Sequence, residues 1–189
     1  MPPQLIAPTV RVHASFLAAM DEFREEGTAA SPRSNLAREL RTWGDRWPAA
    51  EGFAEYVDTV GGTSRDERVG GTVPMTTLWW VAGDSYLGRL TIRHHLTPSL
   101  HAYGGHIGYA VRPAARRRGH ATAMLRAALP YARHTLGIDP VLITCDDTNT
   151  GSRRVIEACG GVFEDQREEK LRFWIGAGAT GGPAGACAR

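Results

Sequence analysis

Several absences narrow what this chain can be. It has three cysteines in 189 residues. Cys145, Cys159 and Cys187 show no Cys-x-x-Cys spacing, so neither a disulfide framework nor a thiolate metal site is expected, and a reducing cytoplasm suits it. No run approaches the roughly 18 apolar residues that a membrane-spanning helix needs. The start, Met1-Pro2-Pro3-Gln4-Leu5-Ile6, has no basic segment ahead of an apolar one, so a secretory signal is not expected. Charge of one sign is also lacking: the net charge is +2, too little to drive strong nonspecific nucleic-acid binding. Lysine is nearly missing, with Lys170 alone among 22 basic residues, which reflects a GC-rich coding sequence rather than chemistry. What remains, 42% hydrophobic and 22% charged, is ordinary for a globular protein of one domain.

Periodicity divides the chain into two textures. Leu5–Pro8 reads as a short strand. Val12, Phe16, Met20 and Phe23 recur at three- and four-residue steps, which predicts an amphipathic helix over 11–26 ended by Gly27. A loop over 28–35 precedes helices at 36–47, closed by Pro48, and 51–60. A polar, Gly-rich connection covers 61–71. Strand patterns follow at 75–82 and 86–94, joined by Gly83-Asp84 as a hairpin. A turn at 102–105 leads to a strand at 106–111. A long helical pattern covers 115–136, with Pro130 expected to interrupt or kink it. Then come a strand at 141–145, a helix at 152–159 stopped by Gly160-Gly161, and strands at 162–164 and 171–175. Residues 176–189 are nearly all Gly and Ala, and disorder is expected there.

The informative stretch runs from Tyr109 to Leu125, a strand entering a Gly-containing loop and then a helix. Such a junction offers unpaired main-chain N–H groups and the positive end of a helix dipole, which suit a diphosphate. Gly119, without a Cβ, lets an anion approach the main chain. Ala121 is small at the same place. Arg116, Arg117 and Arg118 add positive charge, although arginine runs are also commonly solvated turns. The loop is neither a P-loop nor a dinucleotide GxGxxG motif. Four arginines, Arg112 and Arg116 to Arg118, without interleaved aromatics are poor support for an RNA-binding reading.

Arg116-Arg117-Arg118-Gly119-His120-Ala121 fits the [QR]-x-x-G-x-[GA] signature and resembles the GNAT N-acetyltransferase superfamily. Leu142-Ile143-Thr144-Cys145-Asp146 resembles that family's fifth strand. The run from Asn149 through Ser152 to Gly160-Gly161 resembles its Asn-x-x-[Ser/Ala] helix. Gly105-His106-Ile107-Gly108-Tyr109 resembles a bacterial subgroup of acetyltransferases. The resemblance implies an α+β fold: a mixed, mostly antiparallel central sheet, splayed between its fourth and fifth strands and flanked by helices. It implies one domain over 1–175, with a variable acceptor segment at about 9–71 and an acetyl-CoA-binding core at about 75–165.

By the same resemblance the cosubstrate is acetyl-CoA, with no metal. Val111 backbone groups at the end of the fourth strand would bond the pantetheine arm, with Ala110 and Arg112 also among the cofactor-binding residues. Arg116, Arg117, Arg118, Gly119, His120, Ala121 and Thr122 would cradle the diphosphate. Asn149 would reach the pantetheine with Ser152 nearby, although an Asn before a helix is equally a cap. The implied reaction is direct attack by a primary amine. A free alkylammonium has a pKa of about 10.4, so roughly one molecule in a thousand is nucleophilic at pH 7. A base, directly or through water, or selective binding of the neutral amine is therefore needed. The tyrosine that often serves as acid in the family is replaced here by Ile156. Candidate catalytic groups are Tyr109, His106 and Asp146. Each has a structural alternative: wall, core histidine and turn former. His94-His95 point to opposite faces of a strand and do not make a metal pair. Trp79-Trp80 are expected to be one buried and one exposed aromatic. Glu22, Glu25 and Glu26 form either a solvated helix face or a lure for a cationic amine. Expected partners are acetyl-CoA and a small amine, with a peptide amine or a noncatalytic acyl-CoA sensor as alternatives. A homodimer stays open, and neither a membrane nor nucleic acid is expected.

Overall fold

The computed structural model describes residues 1–30, 34–61 and 73–177. Most of the Gly-rich connection and of the tail expected to be disordered, together with Cys187, lies outside the described residues.

The chain starts with β1 (Gln4–Ile6), then α1 (His13–Glu25), α2 (Asn35–Trp43) and α3 (Ala50–Gly61). The hairpin β2 (Met75–Ala82) and β3 (Ser85–Arg93) follows, and a single π-type turn over Leu100–Gly104 leads into β4 (Ile107–Val111). After it come α4 (His120–His134), β5 (Val141–Asp146), α5 (Thr150–Ala158), β6 (Val162–Arg167) and β7 (Lys170–Ile175). Strands β1-β2-β3-β4 form one antiparallel sheet and β5-β7-β6 another. No ladder joins β4 to β5 among the described residues, so the expected splay is present.

Apolar residues cover the first sheet on both sides. Leu78, Trp80, Leu90, Ile92, Ile107 and Val111 pack on Met124, Leu125 and Ala128 of α4, and Ile143 and Phe173 carry this core under the second sheet. Trp79, Val81 and Tyr86 face the other way, onto Phe16, Met20 and Phe23 of α1 and Phe53 and Tyr56 of α3. Adjacent strand residues point to opposite faces. With helices on both faces, Trp79 and Trp80 are therefore both buried, at 0% and 6% exposure. The expected exposed tryptophan does not exist.

A charge lies inside the N-terminal core. Arg89 of β3 and Glu39 of α2 pair through both guanidinium nitrogens, and the Tyr56 hydroxyl donates to Glu39 at 2.6 Å. A lone buried charge there would be costly, so the two partners are buried together and satisfied by each other and by Tyr56.

The largest boundary correction concerns the long helix. It begins at His120 rather than at residue 115. Pro113–Ala115 form a 3-10 turn, and Arg117 and Gly119 have φ of 64° and 79°. Two left-handed residues cannot belong to a right-handed helix. The helix then continues through Pro130 to His134 without a break. The sixth strand is longer than expected, running to Arg167.

Candidate active site

Strands β4 and β5 touch at one end only. The His106 N–H donates to the Leu142 carbonyl at 2.7 Å, and the Leu142 N–H donates to His106 Nδ1 at 2.9 Å. Gly105 makes this pin possible. Its φ is +65°, and a Cβ there would lie 2.6 Å from the Leu142 oxygen. His106 is buried, and desolvation first, then the charges of Arg93 and His101, push its pKa down to about 4. An imidazole whose Nδ1 already accepts a main-chain N–H, and which resists protonation, is a pin at the apex and not a base.

Beyond the apex the strands diverge. Arg93 N–H donates to His106 O, and Arg112 N–H to Leu87 O. In an antiparallel pair, alternate residues bond the same neighbour. The main-chain groups of Tyr109 and Val111 therefore turn away from β3 and toward the gap. The Val111 carbonyl accepts from Arg116 Nε at 3.1 Å, while the N–H groups of Tyr109 and Val111 meet no acceptor among the described residues. Ala110 packs its side chain toward the α1 core instead.

At the open end, Gly119 precedes α4. Its φ of +79° suits glycine, and a Cβ there would meet nothing within 4 Å, so the space above the loop is open. The N–H groups of His120, Ala121 and Thr122 belong to the first turn and have no intrahelical acceptor. Arg117 and Arg118 are exposed and unpaired among the described residues. Their neighbours are not free. Arg112 donates to Glu22 and to Ser15 Oγ, and Arg116 grips Glu26 through two nitrogens. Arg112 and Arg116 lower the Glu22 and Glu26 carboxyls respectively, through hydrogen bonds above all. So Glu22 and Glu26, although Glu26 stays exposed, are each paired with an arginine and lash α1 to the loop. The His120 ring is turned to the sheet, where Nδ1 accepts from Trp80 Nε1 at 3.2 Å.

Across the gap, Asn149 Oδ1 caps α5 by accepting the Ser152 N–H at 2.9 Å. Its amide nitrogen makes no bond among the described residues, so a cap and a ligand contact are compatible. The Tyr109 hydroxyl lies 2.8 Å from Ser152 Oγ. Desolvation raises its pKa to about 12, against a smaller lowering by the Ser152 hydrogen bond. Ile156 is fully buried in the core between sheet and helices. Asp146 stands apart, paired with Lys170 on β7. Burial raises the thiols of Cys145 and Cys159, which suits packing rather than nucleophilic attack. The three candidate catalytic residues are thus not one cluster: Tyr109 spans the gap, His106 closes it, and Asp146 lies beyond its edge.

On the other side of the sheet from α4 lies a cavity of about 560 Å³. Asn35 and Arg38 of α2, Met75, Arg93, Tyr103, Thr144 and Lys170 are among its walls. Gly104 also lines it, beside the His106–Leu142 pin, and Thr144 Oγ1 donates to the Tyr103 carbonyl at 3.0 Å. Sequence reading missed these residues, because contributions scattered from α2 to β7 leave no local spacing. Among the described residues no helix is long and apolar enough to cross a membrane.

A sequence model of the acetyltransferase (GNAT) domain matches residues 28–162, well over half the chain. The chain belongs to the GNAT acetyltransferase family. As a GNAT protein it is an acetyl-CoA-dependent N-acetyltransferase, and acetyl-CoA is its cosubstrate. None of the curated proteins matches the chain in sequence. Solved structures share its fold at low identity. The Mycobacterium smegmatis RimJ structure, in complex with CoA-disulfide, superposes with a TM-score of 0.62 at 18% identity, covering 93% of this chain and 82% of that one. The microcin C7 self immunity acetyltransferase MccE, in complex with acetyl-CoA and AMP, gives 0.60 at 12% identity, covering 92% of each chain. The ribosomal-protein-S5-alanine acetyltransferase of Vibrio fischeri gives 0.60 at 13%, covering 93% of each.

Proposed function

We propose that this acetyltransferase acts on a primary amine of a small molecule that enters the cavity beside Gly104, while acetyl-CoA lies along β4 with its diphosphate at the start of α4. The observation that carries this reading is the meeting of a gap holding unused N–H groups with a cavity of about 560 Å³. That size lies within the roughly 300–1,000 Å³ of small-molecule sites. The diphosphate would lie on the N–H groups of Arg118 to Thr122, with Arg117 and Arg118 supplying charge. The free N–H groups of Val111 and Tyr109 suit, respectively, the pantetheine and the thioester carbonyl, whose oxygen gains charge during attack.

In the reaction the amine nitrogen attacks the thioester carbonyl. The C–S bond breaks, the sulfur leaves with the electron pair, and the amine gives up a proton. Ser152 and Tyr109 supply hydroxyl protons at the gap. A tyrosine with a pKa of about 12 is a poor acid toward a thiol near 8.5. It acts through Ser152 as a hydrogen-bond donor to the departing sulfur, and solvent supplies the proton finally retained. No carboxylate among the described residues lines the cavity, so the leaving amine proton passes to water.

Acetylation of a protein amine is the second reading, supported by the similarity to an acetyltransferase of ribosomal protein S5. Thiol release from acetyl-CoA, measured with a panel of small amines and of peptides with free N-termini, separates the two. Release with small amines supports the first reading. Release only with peptides supports the second. CoA binding without release under any acceptor leaves a sensor and overturns both.

A further inference from the structure

The cavity beside the apex has an uncommon charge. Its charged walls among the described residues are Arg38, Arg93 and Lys170, all cations. Lys170 is balanced by Asp146. Arg93 donates only to the main-chain carbonyls of Gly104 and Gly105, at 3.3 and 3.1 Å, and Arg38 has no side-chain partner among the described residues. Burial, and then the charge of Arg38, push the Arg93 guanidinium below its ordinary value. Two guanidinium groups thus share one wall with no carboxylate between them among the described residues. The nearby acid Glu168 is already engaged, accepting the Tyr103 hydroxyl at 3.1 Å.

Among the described residues the other buried or half-buried arginines are met by acids, Arg89 by Glu39, Arg112 by Glu22, and Arg172 by Glu164 and Asp165, whereas half-buried Arg93 has only the exposed Arg38 beside it. An arginine pair left without a counter-ion in a concave site is what recognition of a carboxylate or phosphate uses.

We infer that the acceptor carries an anionic group, a carboxylate or a phosphate, close to its amine, and that Arg38 and Arg93 hold that group in the cavity. This rests on the cavity being the acceptor site. The arrangement also helps the chemistry. Cationic walls disfavour an ammonium beside them and favour the neutral, nucleophilic amine. The anion lets such a substrate bind where a simple cationic amine would be repelled.

The test is calorimetry on the full-length protein saturated with CoA, using three matched pairs. These are phenylalanine against phenylalaninamide, O-phosphoethanolamine against ethanolamine, and an Ala-Asp dipeptide amide against its Ala-Asn counterpart. In at least one pair the anionic member is expected to bind about tenfold or more tightly than its mate. The responding pair tells an amino-acid carboxylate from a phosphate or an acidic peptide start. Arg38→Ala and Arg93→Met should each cut that ratio by at least about fivefold, with CoA uptake unchanged. Arg38 is an exposed helix position, so its variant keeps the test decisive if Arg93→Met does not fold. Equal affinity within every pair, no binding in any pair, or a ratio that survives Arg38→Ala overturns the inference. Loss of CoA uptake by the wild-type protein is a separate result, which overturns the acceptor reading beneath it and the inference with it.

Discussion

The Tyr109 hydroxyl on β4 and the Ser152 hydroxyl on α5 lie 2.8 Å apart, linking the two sides of the gap between the sheets. The same Tyr109 hydroxyl also lies 3.4 Å from the Ser152 carbonyl oxygen, to which it can donate. The position where the family often has a tyrosine holds Ile156, four residues after Ser152 on α5 and fully buried.

Ser152→Ala and Tyr109→Phe should each lower kcat by about 10–100-fold, equivalent to about 1.4–2.7 kcal/mol of barrier. CoA affinity should change little. Because the two hydroxyls act as a unit, the double variant should lose little more than the worse single variant. The Tyr109 pKa of about 12 adds a pH signature: kcat should show no loss from phenol ionisation up to pH 10. Losses under twofold in both variants would show that the thiolate leaves without their help.

Gly119→Glu should abolish the thermal shift produced by CoA. At Gly119 a Cβ meets no protein atom, so the carboxylate would occupy ligand space and repel a diphosphate. The left-handed φ also strains any L-residue by about 1–2 kcal/mol, so Gly119→Asn, which tolerates that region, is the control. Asn should keep most of the CoA shift. A full CoA shift in the Glu variant would remove the diphosphate from this loop.

The loop, the gap and most helices were legible because their signals are local. Gly119 with the residues around it, the 3.6-residue apolar period of α1, and Asn149 ahead of α5 are each read within a few positions. The helix start was misplaced because Ala115 to Arg118 have good helical composition; only the positive φ of Arg117 and Gly119 excludes them. Partnerships across the chain were not legible. Nothing local in Glu26 announces Arg116, and nothing in His106 announces Leu142. The cavity walls come from α2, β3, β5 and β7, so its cationic character emerges only after folding.

His106 should make stability depend on pH. Its folded pKa of about 4 lies below the ordinary value near 6.5. The unfolded chain therefore binds the proton first as pH falls. The stabilisation is fully present above about 6.5 and is lost progressively as pH falls toward 4. With partial solvent access it amounts to roughly 2 kcal/mol. His106→Asn keeps an acceptor for the Leu142 N–H but cannot titrate. Denaturant midpoints measured from pH 7 to 4 should fall less steeply in this variant than in the wild type. Identical slopes would mean that the ring takes up its proton as readily in the folded protein as in the unfolded chain.

Glu26 neutralises Arg116 beside the loop. Releasing that arginine should raise the positive potential where the diphosphate would sit. Glu26→Gln is therefore expected to tighten CoA binding by about two- to fivefold in low salt, with the gain fading as the Debye length shrinks from about 10 Å at 0.1 M to 3 Å at 1 M. The ion pair is half-exposed, so its loss should change stability little. Calorimetry across a salt series checks this, with Glu25→Gln as a matched charge removal one position away. A weaker affinity in Glu26→Gln at every salt concentration would give Arg116 the opposite role: the Glu26 carboxylate would be holding the loop in its binding shape, and the geometry would matter more than the charge.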